Sequence, residues 1–159
     1  MSGGNPVAFP SLAWFERLVA LMKDQRALHE RLGYMDCKVR FTVLDGGPDR
    51  TPWSVRIHFE EFDVLEVKEL GAVGDEAGTL DFSMAATLAT WRGMIESIAV
   101  GEGRPGLDQT LNDLNLRGGT LLVESGDMLK RDMFFRYNQS LQAFVNASGC
   151  FRTTFTGAH

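Results

Sequence analysis

The residues of this chain whose types could do chemistry are three histidines, two cysteines and a run of carboxylates. His29 stands beside Glu30 in a helical stretch and reads as solvated. His58 falls on the polar side of a strand pattern, and His159 is terminal. No G-x-S-x-G elbow occurs, and no spacing links Cys37 to a base, so no nucleophile is assembled. Cys37 and Cys150 show neither CxxC nor metal-ligand spacing and read as two reduced thiols of a cytoplasmic protein. Glu60, Glu61, Asp63, Glu66 and Glu69 suggest a metal cluster by count. They are interleaved with Phe62, Val64, Leu65 and Val67, and Arg56 and Lys68 are close in sequence, which is the pattern of a solvated sheet face. Residues 101–106 spell G-x-G-x-x-G, but a dinucleotide fingerprint needs a strand before it and a helix opening within it. Here a helix precedes it and Pro105 interrupts it, so it reads as a loop. Two N-x-S sequons, at Asn138 and Asn146, fall inside a predicted helix and read as chance matches. These residues therefore assign no catalytic group, no cofactor and no metal.

Composition narrows the classes further. At 159 residues the chain is expected to be one domain, 1–159, with loose tails at 1–10 and 150–159. A net charge of −5 is the wrong sign for a nucleic-acid binder, which needs a basic footprint. It equally disfavours standing affinity for anionic membranes. No run of eighteen apolar residues is present, and the first ten residues lack the basic and apolar regions of a signal peptide.

The elements that must position any site follow from periodicity. Leu12, Phe15, Leu18, Val19 and Met22 form a helical stripe behind Ser11, a plausible N-cap, and Leu28 and Leu32 extend it to Gly33. The predicted helix runs from about Leu12 to Leu32 with a break near Asp24. Val39, Phe41 and Val43 then alternate with polar residues, as do Trp53, Val55, Ile57 and Phe59 after a Gly-Gly-Pro-Asp loop. Phe62–Leu70 adds a third run, completing an antiparallel meander. After an acidic loop at Gly71–Gly78, Leu80 and Phe82 mark a fourth strand. The stripe at Leu88, Trp91, Met94, Ile95 and Ile98 marks a helix, and Leu107–Leu114 a short one. Leu116–Val123 reads as a fifth strand, and a last helix starts at Met128 and stops by Gly149. Helices beside one mainly antiparallel sheet make an α+β domain.

Eleven phenylalanines and seven methionines are the unusual counts. Together with the apolar strand faces they place many bulky groups on one side of a small sheet. Packed solid, each contributes ~1.5–3 kcal/mol of burial. Packed around a void, the same groups would line a cavity for an apolar molecule. Composition fits both.

The order of elements and several local strings resemble the sterol carrier protein type 2 family of small lipid-binding domains. The carrying strings are VRFTV into WSVRIHFEEFDVLEV, then TLDFSMAATLATWRGMI, then LRGGTLLVESGDM with the closing helix, roughly Leu12 to Ser148. The resemblance implies a five-stranded sheet in the order 3-2-1-4-5, helices over one face, and an apolar tunnel between them for a fatty acid, acyl-CoA, sterol or other lipid. It also implies a non-enzymatic carrier. On that reading the sheet lines the tunnel with Phe41, Val55, Ile57, Phe59 and Phe82. The helices add Trp91, Met94, Ile95, Met133, Tyr137 and Leu141, and Arg92, Arg136 and Tyr137 are the candidates to hold a polar head. A solid-cored interaction module, pairing with a second copy or with a lipid-metabolising enzyme, is the alternative.

Overall fold

The computed structural model describes residues 5–70, 80–125 and 127–155. In chain order the elements are strand β1 (Val7–Phe9), helices α1 (Leu12–Asp24) and α2 (Arg26–Leu32), and strands β2 (Met35–Val43), β3 (Trp53–Glu61), β4 (Asp63–Leu70) and β5 (Phe82–Ala86). Helix α3 (Leu88–Val100) and a short α4 (Leu111–Asp113) follow, then β6 (Leu122–Glu124), α5 (Met128–Arg131), α6 (Met133–Asn146) and β7 (Thr153–Phe155). The predicted loop at Gly71–Gly78 lies outside the described residues.

Five strands form one sheet in the order β4-β3-β2-β5-β6, and β1 and β7 form a separate pair. The large sheet is mixed. β2 pairs antiparallel with β3 and β3 with β4, as the meander predicts, whereas β5 runs parallel to β2 and antiparallel to β6. The predicted order 3-2-1-4-5 is this order, counted from the first strand of the sheet. The hairpin between β2 and β3 turns where Gly46 lies so close to Val43 that a Cβ would sit 2.6 Å from its Cγ1.

The first helix is two. Ser11 Oγ accepts the Trp14 N–H at 3.1 Å and so caps α1. Gln25, at φ −102° and ψ 28°, separates α1 from α2, one residue past the break expected near Asp24. Gly33 ends α2 at φ 104°, a conformation that favours glycine. Helix α3 is capped twice: Thr87 accepts the Thr90 N–H, and the Asp45 carboxylate accepts the Leu88 N–H at 2.7 Å. An anion at a helix N-terminus is favourable to both.

Three expectations are corrected. The tails are not loose where they are described: Val7–Phe9 pairs in parallel with Thr153–Phe155, and Phe9 is fully buried against Trp14, ring centroids 4.7 Å apart. That pairing joins segments far apart in sequence, and three-residue strands carry no readable alternation. The fifth strand starts at Leu122, because Leu114–Gly118 is a π-helical turn whose Leu114 carbonyl accepts the Thr120 N–H. His29 is buried, 1% exposed, and neither ring nitrogen has a hydrogen-bond partner among the described residues.

Candidate functional site

The interior between the sheet and the helices is an aromatic mass. Phe15 packs on Phe41 at 5.3 Å between centroids and stacks on Trp53 at 5.8 Å. Phe41 reaches Trp91 and Phe144, and Phe59 meets Phe144 edge-on at 5.1 Å. Phe82 meets Phe134 in the same way at 6.2 Å. Helix α6 is thus seated on the sheet ring against ring, which is the low-energy geometry of such pairs.

The sequence-predicted lining falls in this mass. Phe41, Val55, Ile57, Phe59 and Phe82 are buried on the sheet side. Trp91, Met94, Ile95, Tyr137 and Leu141 are buried on the helix side, and Met133 packs half-buried against them. Alternation puts the strand residues on one face, and three- and four-residue spacing does the same for the helices. Ten of these side chains belong to one apolar cluster, and Met133 packs against it.

Three pockets lined by described residues touch the predicted lining itself, at Phe82, Ile95 and Tyr137. One of about 190 Å³ lies beside Phe82, and one of about 360 Å³ lies beside Ile95, between α3 and the β7 segment. The third, of about 270 Å³, lies where the end of α2 meets α6 and is lined by Leu32, Gly33, Tyr34, Arg136, Tyr137 and Ser140. The Ser140 hydroxyl donates to the Gly33 carbonyl at 3.3 Å and ties the two walls together. The Arg136 guanidinium sits 5.9 Å from the Tyr137 ring centroid, and Tyr34 is 59% exposed at the same opening. This pocket therefore brings a cation, two phenol-bearing side chains and the half-buried Leu32 to one opening.

Two of the three predicted head-holding groups, Arg136 and Tyr137, meet in that pocket. Arg92 does not. It pairs with Glu96 at 3.1 Å one helical turn on and lies 4.9 Å from the centroid of Phe155. Tyr34 was not singled out by the sequence: it follows a helix-ending glycine, and nothing local tells that its ring rises beside a helix about a hundred residues later.

The remaining chemistry-bearing residues do not converge. Glu60, Glu61, Glu66 and Glu69 are exposed, and the Arg56 guanidinium holds Glu66 across the β3–β4 ladder. Among the described residues no group of histidine, cysteine, aspartate and glutamate side chains could hold a metal ion. Burial pushes the Cys37 thiol pKa far up, with Asp81 and Asp36 adding to the shift, so it stays a thiol. Burial lowers the pKa of His29. No helix among the described residues is long and apolar enough to cross a membrane.

No family model matches the chain, and no curated protein matches it by sequence. Solved structures do. The crystal structure of sterol carrier protein 2 is similar at a TM-score of 0.61 and 16% identity, over 86% of this chain and 94% of that one. The solution structure of a conserved hypothetical protein from Thermus thermophilus, named as a possible sterol carrier protein, is similar at a TM-score of 0.63 and 17% identity. That match covers 92% of this chain and 94% of the other.

Proposed function

Starting from the sterol-carrier fold, we propose that this protein binds and carries an amphiphilic lipid without catalysis, in the cytoplasm. The observation that carries the reading is the Arg136–Tyr137 pocket. It sets a cation beside Tyr137, which belongs to the apolar cluster, as an anionic head on an apolar tail requires. The fold supports a lipid-binding role in general, and this pocket gives it a polarity.

The mechanism is partition. Helix α6 shifts on the sheet, the tail takes the place of ring-to-ring contacts such as Phe59–Phe144, and the head stays at Arg136. Each methylene withdrawn from water contributes ~0.8 kcal/mol, so a tail of about ten carbons gains on the order of 8 kcal/mol against the cost of parting the rings. Phe82, Met94 and Leu141 then form the wall of the opened site, with Val55 and Ile57 beneath. A carboxylate head gains a charge-assisted bond from the guanidinium. Titration with an environment-sensitive fluorescent fatty acid tests this: saturable emission gain supports it, and a flat response rejects it.

A specific observation favours a second reading. Leu116, Leu122, Met128 and Leu129 are exposed around β6 and α5, at 63%, 45%, 78% and 79%. Arg131 Nε donates to the Val123 carbonyl at 3.1 Å and joins those elements. A solid-cored module would use such a corner to meet a second copy or an enzyme. Light scattering over a concentration series separates the two: a dimer without fatty-acid uptake favours the module.

A further inference from the structure

Helix α2 has seven residues, too few to stay helical in water without packing. His29 is the only one of them that is buried, whereas Leu28 and Leu32 are half-buried. Both ends of the helix depart from helical geometry, at Gln25 (φ −102°, ψ 28°) and at Gly33 (φ 104°). The helix is therefore a short piece between two hinges, seated through one imidazole.

His29 also connects to the Arg136–Tyr137 pocket. Its carbonyl accepts the Gly33 N–H at 3.0 Å, and the Gly33 carbonyl accepts the Ser140 hydroxyl of α6. Leu32, Gly33 and Tyr34 form one wall of the pocket, and Arg136, Tyr137 and Ser140 form the other. The pocket is thus the seam between the end of α2 and α6, and it keeps both walls only while α2 is seated.

No group around His29 compensates a charge on its ring. Neither ring nitrogen has a partner among the described residues. Helix α2 packs against α6 and α1. The one charged side chain of α6 is Arg136, which is exposed at the mouth beside Tyr137. Glu16, Arg17, Lys23 and Asp24 of α1 are all exposed, as are Arg26, Glu30 and Arg31 of α2 itself. Asp63, at the start of β4, is engaged with Arg26 at 3.5 Å. Burial is accordingly the one cause that lowers the His29 pKa. An imidazolium in this position is an uncompensated buried charge, and exposing the ring removes its cost.

We infer that His29 is an acid-sensitive release for the ligand of the Arg136–Tyr137 pocket: its protonation unseats α2, breaks the Ser140–Gly33 bond and opens the seam. The inference rests on the lipid reading for what is released, but not for the movement of α2. In the unseated form the ring is solvated and titrates at the ordinary 6.5. Above that value the seated form holds. Below it each pH unit favours the unseated form by up to about tenfold, until the lower pKa of the seated form is passed.

Two measurements on the full chain, at about pH 7.5 and about pH 5.5, test the release. Hydrogen–deuterium exchange, corrected for the intrinsic effect of pH on amide exchange, reads α2 without a ligand. Protection over 26–33 is expected to fall at least about threefold in acid while α1 and α3 keep theirs, and to persist in His29→Leu. Stopped-flow dissociation of a pyrene-labelled alkyl sulfonate, whose head stays anionic at both pH values, reads the pocket. It is expected to quicken by a similar factor in the wild type and not in His29→Leu. Where that variant does not fold, His29→Phe replaces it, and the wild-type contrast of α2 with α1 still decides. Unchanged α2 protection in acid would overturn the inference, as would opening of α2 with no change in probe release. A probe that binds at neither pH would sink the lipid reading and the release with it, while exchange still decides the movement of α2.

Discussion

The indole Nε1 of Trp91 donates to the main-chain carbonyl of Thr42 at 2.9 Å, so α3 is tied to β2 from inside the core. Both residues are buried. Trp91→Phe keeps the ring contacts with Phe9 and Phe41 but removes that hydrogen bond. The expected loss is about 0.5–1.5 kcal/mol, read as a lower urea midpoint at an unchanged slope.

Arg136 and Arg92 separate the two candidate head sites. Arg136→Ala is expected to weaken the fluorescent fatty acid about tenfold, the value of one charge-assisted hydrogen bond. Arg92→Ala is expected to leave affinity unchanged, because that guanidinium is engaged with Glu96 and Phe155. Circular dichroism on both variants checks that the fold is retained.

The cysteines should react very differently. Cys150 is exposed, whereas Cys37 is 2% exposed with its thiol pKa raised by burial. Iodoacetamide at neutral pH is expected to add one carbamidomethyl group, at Cys150, with Cys37 modified only after denaturation. Peptide mapping by mass spectrometry reads both sites.

His29 makes stability depend on pH. Its folded pKa lies below the ordinary 6.5, because burial penalises the imidazolium. Below that ordinary value the unfolded chain takes up the proton first, so His29 contributes its stability above about pH 6.5 and loses it as pH falls toward the folded value. The melting temperature is expected to drop between about pH 7 and pH 5. His29→Leu should flatten that drop, and its loss of the two unpartnered nitrogens should not lower stability at neutral pH.

The meander was legible because β2 and β3 each keep strict period-two alternation along their length, which fixes both face and register. The break at Gln25 was legible because a charged stretch interrupts an apolar stripe. The burial of His29 was not, since its neighbours Arg26, Glu30 and Arg31 carry the signature of an exposed turn. Nor was the β1–β7 pair, whose contacts are non-local. At the site, periodicity found the side chains that share the core but not which ones reach its mouth. Arg92 and Arg136 look alike in sequence, and only the packing of α2 against α6 brings Arg136, Tyr137 and Tyr34 to one opening.

The central claim is that an amphiphile seats beneath α6 with its head at Arg136. Native mass spectrometry of the freshly purified chain tests it most directly. The prediction is a bound mass in the range of a single fatty acid or phospholipid, released on denaturation and depleted in Arg136→Ala. A bare chain mass in every preparation, persisting after incubation with fatty acid, would contradict it.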